Sequence, residues 1–593
     1  MAVFRSAIAL CLLAVCALWA KTRTPSTSPL LRQLSLRDRI AQLIIVRGYG
    51  DYPPSDNAEY KRFLNWITKT HVGGFIVAGR IRNGDVIPAQ PFELAVFVNH
   101  IQKLAKTPLL VGSDFERGAS MRVTQTAPFP YLMAFGAARD RDAIKQLGAA
   151  TAREARALGV NWAFAPDADV NNNPDNPIIN TRSFGEDPQA VADDVAAFID
   201  GAHSDPANYV LLSAKHFPGH GDASQDSHME LPRIDRTKDQ MEQVELVPFR
   251  AAIAHNVDSI MTAHLFVPAF EPEQMPATVS HNILTGLLRD ELGFKGLIVT
   301  DALEMQAVAG MYGPGEAAVR AIEAGADVLL MPTDPDACVR DILAAVAHGR
   351  ISVQRINASV QKVLAAKQRV GLFRSRFVNL DHLTDDLDAQ KLDSLAENVA
   401  NKAFTLVKDE QHLFPIPEGP TPGGNASCLA ILSEGDFSTR GATLVRALHA
   451  ASVPLTVYVA HPSMPDSLLT EFASDMSHCK QIYAAAFITV GANRGNVALQ
   501  GGLSGFLQAL LRQPVPVALI SFGSPYLLRD FPTVAAYAAT FSVATSSEAA
   551  AARALLGEIP ITGKLPVSIP PLAKIGDGLD VPAKLKTVSN GSK

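Results

Sequence analysis

The sequence predicts an α/β chain in two parts: a (β/α)8 barrel followed by a C-terminal layered α/β sandwich domain. Three observations predict it. Between residues 40 and 332, eight short β-branched apolar runs alternate with longer helical patterns. Acids, histidines and a lysine gather where those runs end, and a second α/β pattern starts near residue 400. At 593 residues the chain is too long for one core, and 47% hydrophobic with 19% charged residues describes a globular protein.

The N-terminus carries Arg5, an apolar run from Ala7 to Ala20 and then a polar K-T-R-T-P-S-T-S-P segment. That run is shorter than the roughly 20 residues of a spanning helix, so residues 1–20 are expected to be a signal peptide, with Ala17 and Ala20 as cleavage points. An uncleaved anchor is the alternative. The expectation is an exported protein, periplasmic or extracellular, with no membrane span in the mature chain.

The eight runs lie at 40–46, 73–78, 108–114, 161–167, 209–216, 259–264, 296–301 and 326–332. Continuous apolar strands followed by helices indicate a parallel sheet covered on both faces, and eight such units a TIM-like barrel over residues 30–375. Asp114, Asp167, Lys215 with His216, His264 and Asp301 all fall at the C-terminal ends of runs, where a barrel builds its active site. One such residue is an ordinary strand end reaching water; five strands ending this way are not. Residues 376–399 read as a linker, 400–575 as the second α/β domain and 576–593 as a flexible tail.

The net charge of −6 gives no basic footprint, which excludes nucleic acid as the expected partner. Of five cysteines, Cys338, Cys428 and Cys479 lie beyond the signal segment without a C-x-x-C pair, so buried thiols and at most one disulfide are expected.

The densest chemistry is K-H-F-P-G-H-G-D-A-S-Q-D-S-H, Lys215 to His228. His216, His220, Asp222, Asp226 and His228 are all of ligand type, but an ammonium at Lys215 repels a dication, and no metal or other cofactor is expected. D-A-D-V-N-N-N-P-D-N-P from Asp167 begins like a calcium loop yet lacks the glycine at position 6 and the glutamate at position 12. Asp301, ending G-L-I-V-T-D, suits a nucleophile and equally a helix N-cap; position alone leaves both open.

K-H-F-P-G-H-G-D with D-S-H, together with T-D-A-L-E-M, S-D-F-E-R-G and N-T-R-S-F-G-E-D-P, resembles glycoside hydrolase family 3, in its β-N-acetylhexosaminidase branch acting on peptidoglycan fragments. A-F-T-L-V-K-D, S-F-G-S-P-Y-L-L and G-K-L-P-V-S-I-P resemble the family's C-terminal domain. The resemblance implies that Asp301 is the nucleophile, His228 the acid/base and Asp226 its dyad partner, with Asp114, Arg122, Arg182, Lys215 and His216 binding substrate. Where the family has an acidic-Gly-Gly-Arg run, this chain has E-R-G-A-S-M-R, a departure that touches Arg122.

These roles imply a retaining exo-β-N-acetylglucosaminidase acting on carbohydrate; a monomer is expected. Histidine's unperturbed pKa near 6.5 lets it give and then take back a proton. Gly219 and Gly221 are the expected hinges of a mobile loop carrying His228. The alternatives are a β-glucosidase-like or phosphorolytic relative, and a non-catalytic glycan-binding protein; an intact Asp301, Asp226 and His228 set argues against the last.

Overall fold

The computed structural model describes residues 29–82, 85–387, 389–417, 426–491 and 497–584. Residues 1–20, the expected signal peptide, lie outside them. Among the described residues no helix is long and apolar enough to cross a membrane.

Each apolar run becomes a strand: β1 (Ile44–Gly48) and β2 (Gly74–Val77), then, after a short hairpin of β3 (Arg80–Arg82) and β4 (Asp85–Ile87), β5 (Leu110–Ser113), β6 (Trp162–Ala163), β7 (Leu211–Phe217), β8 (Ser259–Thr262), β9 (Leu297–Val299) and β10 (Leu329–Leu330). Leaving out the hairpin, they pair in parallel in the order β10-β1-β2-β5-β6-β7-β8-β9. The ring closes where Val299 bridges Val328 and Thr300 N donates to Val328 O at 3.0 Å. All seven residues of β7 are buried, as a strand sealed on both faces requires. The hairpin between β2 and β5 had no expected counterpart.

The second sheet holds β11 (Thr405–Asp409), β12 (Ser427–Leu432), β13 (Leu455–Ala460), β14 (Ile482–Ile488), β15 (Val517–Gly523) and β16 (Ala536–Ala539) in the order β11-β16-β15-β14-β12-β13, with only β11 antiparallel. Helices Ala442–Ala450, Asp466–Met476, Leu503–Leu511 and Thr545–Leu556 accompany it. Cys428 and Cys479 form a disulfide, and Cys338 is a buried free thiol.

Two stretches depart from the sequence reading. A 15-residue helix, Ala389–Ala403, spans the end of the expected linker and runs past it, with Ala396, Val399 and Ala400 buried. Its many polar residues hide an apolar stripe at helical spacing. Residues 576–584, expected to fray, are tied down: Leu579 N donates to Leu406 O at 2.7 Å, Ile561 and Val581 exchange backbone hydrogen bonds, and Lys584 N reaches Gly557 O at 2.8 Å.

Around the barrel, helices Arg141–Ala157 and Pro188–Ala202 approach closely because each offers a glycine. A Cβ at Gly148 would stand 2.2 Å from Phe198 O, and one at Gly201 2.0 Å from Lys145 O. Gly148→Ala is therefore expected to lower stability by about 1–3 kcal/mol, the usual cost of overpacking, read as a lower urea midpoint at unchanged slope. An unchanged midpoint would show that the pair can part freely.

Candidate active site

Asp114 follows β5, and the turn after it carries Glu116 and Arg122. Lys215 projects from β7 between the two acids, its Nζ 3.0 Å from Asp114 Oδ1 and 2.7 Å from Glu116 Oε1. Arg122 Nη2 donates to Asp114 Oδ2 at 3.0 Å. Arg182, in the turn Asn180–Arg182 after β6, donates to both Glu116 oxygens at 3.1 and 2.7 Å and to His216 Nε2 at 3.2 Å. His216 Nδ1 in turn meets Asp169 Oδ2 at 2.7 Å. The five expected binding residues thus form one network, joined through Glu116 and backed at His216 by Asp169, two acids that the sequence reading did not single out. Glu116 stood inside the quoted S-D-F-E-R-G motif, and Asp169 two positions after a strand-end acid.

Charge balance sets the ionisation of this floor. Burial pushes Asp114 up, but Lys215 and Arg122 outweigh it and bring its carboxyl down to about 2. Burial also opposes the charge on Glu116, and Arg182 with Lys215 overcomes it, holding Glu116 well below the carboxylate range. Lys215 is 2% exposed, whereas the side chains of Asp114, Arg122 and Arg182 are 15–23% exposed. These three line the open surface. Lys215, expected to hold sugar hydroxyls, lies beneath them with two of its three N–H bonds spent on carboxylates.

Asp167, Asp169 and His216 bring ligand-type atoms within 4.8 Å of one another. Arg182 Nη2 stands 3.7 Å from Asp167 Oδ2, and a dication there would face that guanidinium. Burial and the neighbouring Asp169 raise Asp167 well above the carboxylate range, so a proton meets the charge balance instead.

Asp169 also fixes the turn leading to His228. Its Oδ1 accepts from His220 N at 2.6 Å and from His216 N at 3.3 Å. The Lys215–His216 and Phe217–Pro218 peptides are both cis. Asn176 Nδ2 donates to the carbonyls of His220 and Gly221 at 2.8 and 3.0 Å, and Asn173 Nδ2 to Asp222 O at 3.0 Å. Asn173 and Asn176, later in the run that begins like a calcium loop, thus clamp two barrel loops together. His220 Nε2 meets Ser227 Oγ at 3.0 Å, and Asp222 pairs with Arg236.

The expected hinge glycines are packed positions. A Cβ at Gly221 would come within 1.7 Å of Val170 O, and one at Gly219 within 2.6 Å of Glu245 Cβ. Gly219 also has φ +127°, a region that favours glycine. Close approach, not bending, explains both residues.

Beyond the turn, Asp226 Oδ1 accepts from His228 N and lies 2.8 Å from His228 Nδ1. Asp226 is buried, whereas the His228 side chain is 31% exposed, so the dyad is rooted in protein and its ring faces solvent. Asp301 follows β9. Its Oδ1 accepts from Ala302 N at 2.7 Å, and its own N–H donates to Thr262 O at 3.2 Å. Burial raises its carboxyl, and His216, His264, the Ala302 N–H and His228 together bring it below its ordinary value. The Asp301 carboxylate is therefore ionised at neutral pH. His264 Nε2 donates to Ala302 O at 3.0 Å, steadying the residue after it.

Glu154, from the helix Arg141–Ala157, holds the Arg122 loop by accepting from Ala119 N at 3.0 Å and Ala127 N at 3.1 Å. The second domain holds the Arg182 loop: Asn171 Nδ2 donates to Tyr526 Oη at 2.7 Å, Ser568 N to Glu186 Oε2 at 2.7 Å and Arg529 Nη1 to Asp175 Oδ1 at 2.7 Å.

Because Asp114 is depressed in the folded state, its contribution to stability is full above its ordinary value of 3.8 and is lost as pH falls towards about 2. The urea midpoint is expected to fall across that window, and to fall less steeply in Asp114→Asn. Equal slopes would contradict the charge balance described for the floor.

Residues 35–366 match the model of the glycosyl hydrolase family 3 N-terminal domain. The structure of a glycoside hydrolase family 3 β-N-acetylglucosaminidase from Paenibacillus sp. strain FPU-7 superposes with a TM-score of 0.77 at 31% identity, covering 90% of this chain and 99% of that one. A β-N-acetylglucosaminidase/β-glucosidase of Cellulomonas fimi is 28% identical over 558 residues, 91% of this chain and 94% of that protein. A β-hexosaminidase A of Pseudoalteromonas piscicida is 39% identical over 251 residues, 39% of this chain and 41% of its own. With the barrel, the second domain and the ionic floor in place, the chain belongs to glycoside hydrolase family 3 and is a glycoside hydrolase.

Proposed function

We propose that this chain is a retaining exo-β-N-acetylglucosaminidase. The observation that carries the reading is the Asp226–His228 pair on a barrel loop, with its ring exposed to solvent, together with the ionised Asp301 at the end of β9. The relatives' names support the N-acetylhexosamine preference.

In the proposed reaction the sugar's hydroxyls rest on Asp114, Arg122, Arg182 and His216, while Lys215 fixes two of the acids from below. Asp301 attacks the anomeric carbon and forms a glycosyl ester as His228 Nε2 gives its proton to the leaving oxygen. Water then attacks the anomeric carbon, its bond to Asp301 breaks, His228 takes the water's proton, and Asp301 is released as a carboxylate. Asp226 orients the ring through Nδ1.

Export and action on peptidoglycan fragments as a monomer complete the proposal. The signal-like segment supports export, as does the Cys428–Cys479 disulfide, a bond that persists in oxidising compartments. The second domain buttresses the Arg182 loop and takes no part in the chemistry.

Release from aryl N-acetylglucosaminide and aryl glucoside, with and without phosphate, tests the activity. N-acetylglucosamine is the expected product and needs no phosphate; release of glucose alone would sink the reading. Asp301→Ala is expected to lower kcat by on the order of 10⁴-fold or more. His228→Ala should cost about 10²–10⁴-fold on substrates with poor leaving groups and much less on a dinitrophenyl glycoside, which needs no protonation. Equal losses on both would remove His228 from the acid role.

A further inference from the structure

The end of the barrel remote from Asp301 carries a surface that the proposed chemistry does not use. Residues 105–108 enter β5 there, whereas Asp114 leaves β5 at the catalytic mouth. A cavity of about 1030 Å³ opens on that end, beside the helices Pro29–Gln33 and Val353–Arg369. Leu30, Leu364 and Phe373 give it apolar walls and Lys106 and Arg374 give it cations; among the described residues no acid lines it.

The segment after the helix Val353–Arg369 extends this patch. It reads G-L-F-R-S-R-F-V from Gly371. Four phenylalanines are exposed among the described residues, and two of them, Phe373 at 44% and Phe377 at 51%, flank Arg374 and Arg376. Arg374 and Arg156 lean over Gly371, where a Cβ would stand 3.3 and 3.6 Å from their Nη2 atoms. Arg376 donates to Ala105 O at 3.3 Å, and Lys103 is exposed beside Leu104, itself 40% exposed. Lys106 is countered by Asp38 at 3.2 Å, whereas Lys103, Arg374 and Arg376 meet no acid among the described residues. The acids that follow climb the side of the barrel: Val378 N donates to Asn99 Oδ1 at 2.7 Å, and Arg153 holds the carbonyls of Asp385 and Asp386 at 3.2 and 2.9 Å.

Gathered like charges and exposed rings do nothing for folding. At the boundary of an anionic bilayer both are used, because rings enter the apolar edge while guanidinium and ammonium groups meet phosphates. The course of the chain points the same way. Pro29 lines the cavity, and the sequence before it holds Lys21 and Arg23 and, ahead of them, the apolar run Ala7–Ala20. Residues 21–28 can reach no more than about 30 Å, so a retained run keeps this face at the membrane, and a cleaved one leaves two further cations beside it. In either case the catalytic mouth faces away from the lipid.

We propose that this end of the barrel docks on an anionic phospholipid surface, with Phe373 and Phe377 entering the interface and Lys103, Arg374 and Arg376 meeting the headgroups. The inference is independent of which glycoside the enzyme cleaves. Two reporters in the full chain test it: Phe377→Trp in the patch, and Met229→Trp, at a 53% exposed position beside His228, at the mouth. Each is mixed with vesicles of brominated phosphatidylcholine, with or without an equal part of brominated phosphatidylglycerol. Quenching beyond that of the unsubstituted chain is expected for Phe377→Trp on the anionic vesicles and not for Met229→Trp. Adding Arg374→Glu and Arg376→Glu is expected to raise the lipid concentration for half-maximal quenching about tenfold or more, with an unchanged urea midpoint showing that the variant folds. Equal quenching on neutral and anionic vesicles, equal quenching of the two reporters, or a half-point unmoved by the glutamates would overturn the proposal. No quenching on any vesicle would also overturn it, and binding to isolated peptidoglycan that the glutamates abolish would then assign the face to the wall polymer instead.

Discussion

The interaction on which the site depends is the buried exchange of charge among Asp114, Glu116, Lys215 and Arg182. These groups come from the ends of three strands, β5, β6 and β7, and each is tolerable in the barrel mouth only because the others are present. Losing one partner leaves an uncompensated buried charge, at a cost of about 3–5 kcal/mol. The floor proposed to bind sugar is thus also a clasp holding three loops in register. Substitutions in it will mix loss of binding with loss of structure, unlike those at Asp301 or the rim.

Around the clasp the work is divided by burial. Glu116, Lys215 and Asp169 are sealed and set positions, whereas Asp114, Arg122 and Arg182 present hydrogen bonds at the surface. His228 is more exposed again, on a loop whose root is fixed by Asp169, Asn176 and the packed Gly221. Glu154 supports one side of the floor, and contacts from Tyr526, Ser568 and Arg529 support the other. That arrangement gives the second domain a positioning role with none of its side chains in the proposed chemistry.

The barrel was legible because a strand buried on both faces must be apolar throughout, and the first polar residue marks its end. Asp114, Asp301, Lys215 and His216 were found that way, and the structure brings them together. Glu116 and Asp169 escaped because nothing in a sequence separates an acid that meets a ligand from one that neutralises a neighbour. Gly219 and Gly221 were read as hinges because glycine permits both bending and close approach, and only the positions of Val170 and Glu245 decide between them. The helix Ala389–Ala403 passed for a linker because its apolar stripe is narrow.

The central claim is that Asp301 forms a covalent bond to the sugar. Trapping the enzyme with an activated fluorosugar and locating the modified peptide by mass spectrometry tests it most directly. The account predicts a single label on Asp301, in the G-L-I-V-T-D-A-L-E-M peptide, with loss of activity in proportion to labelling. A label on any other residue, or inactivation without a label, would contradict it.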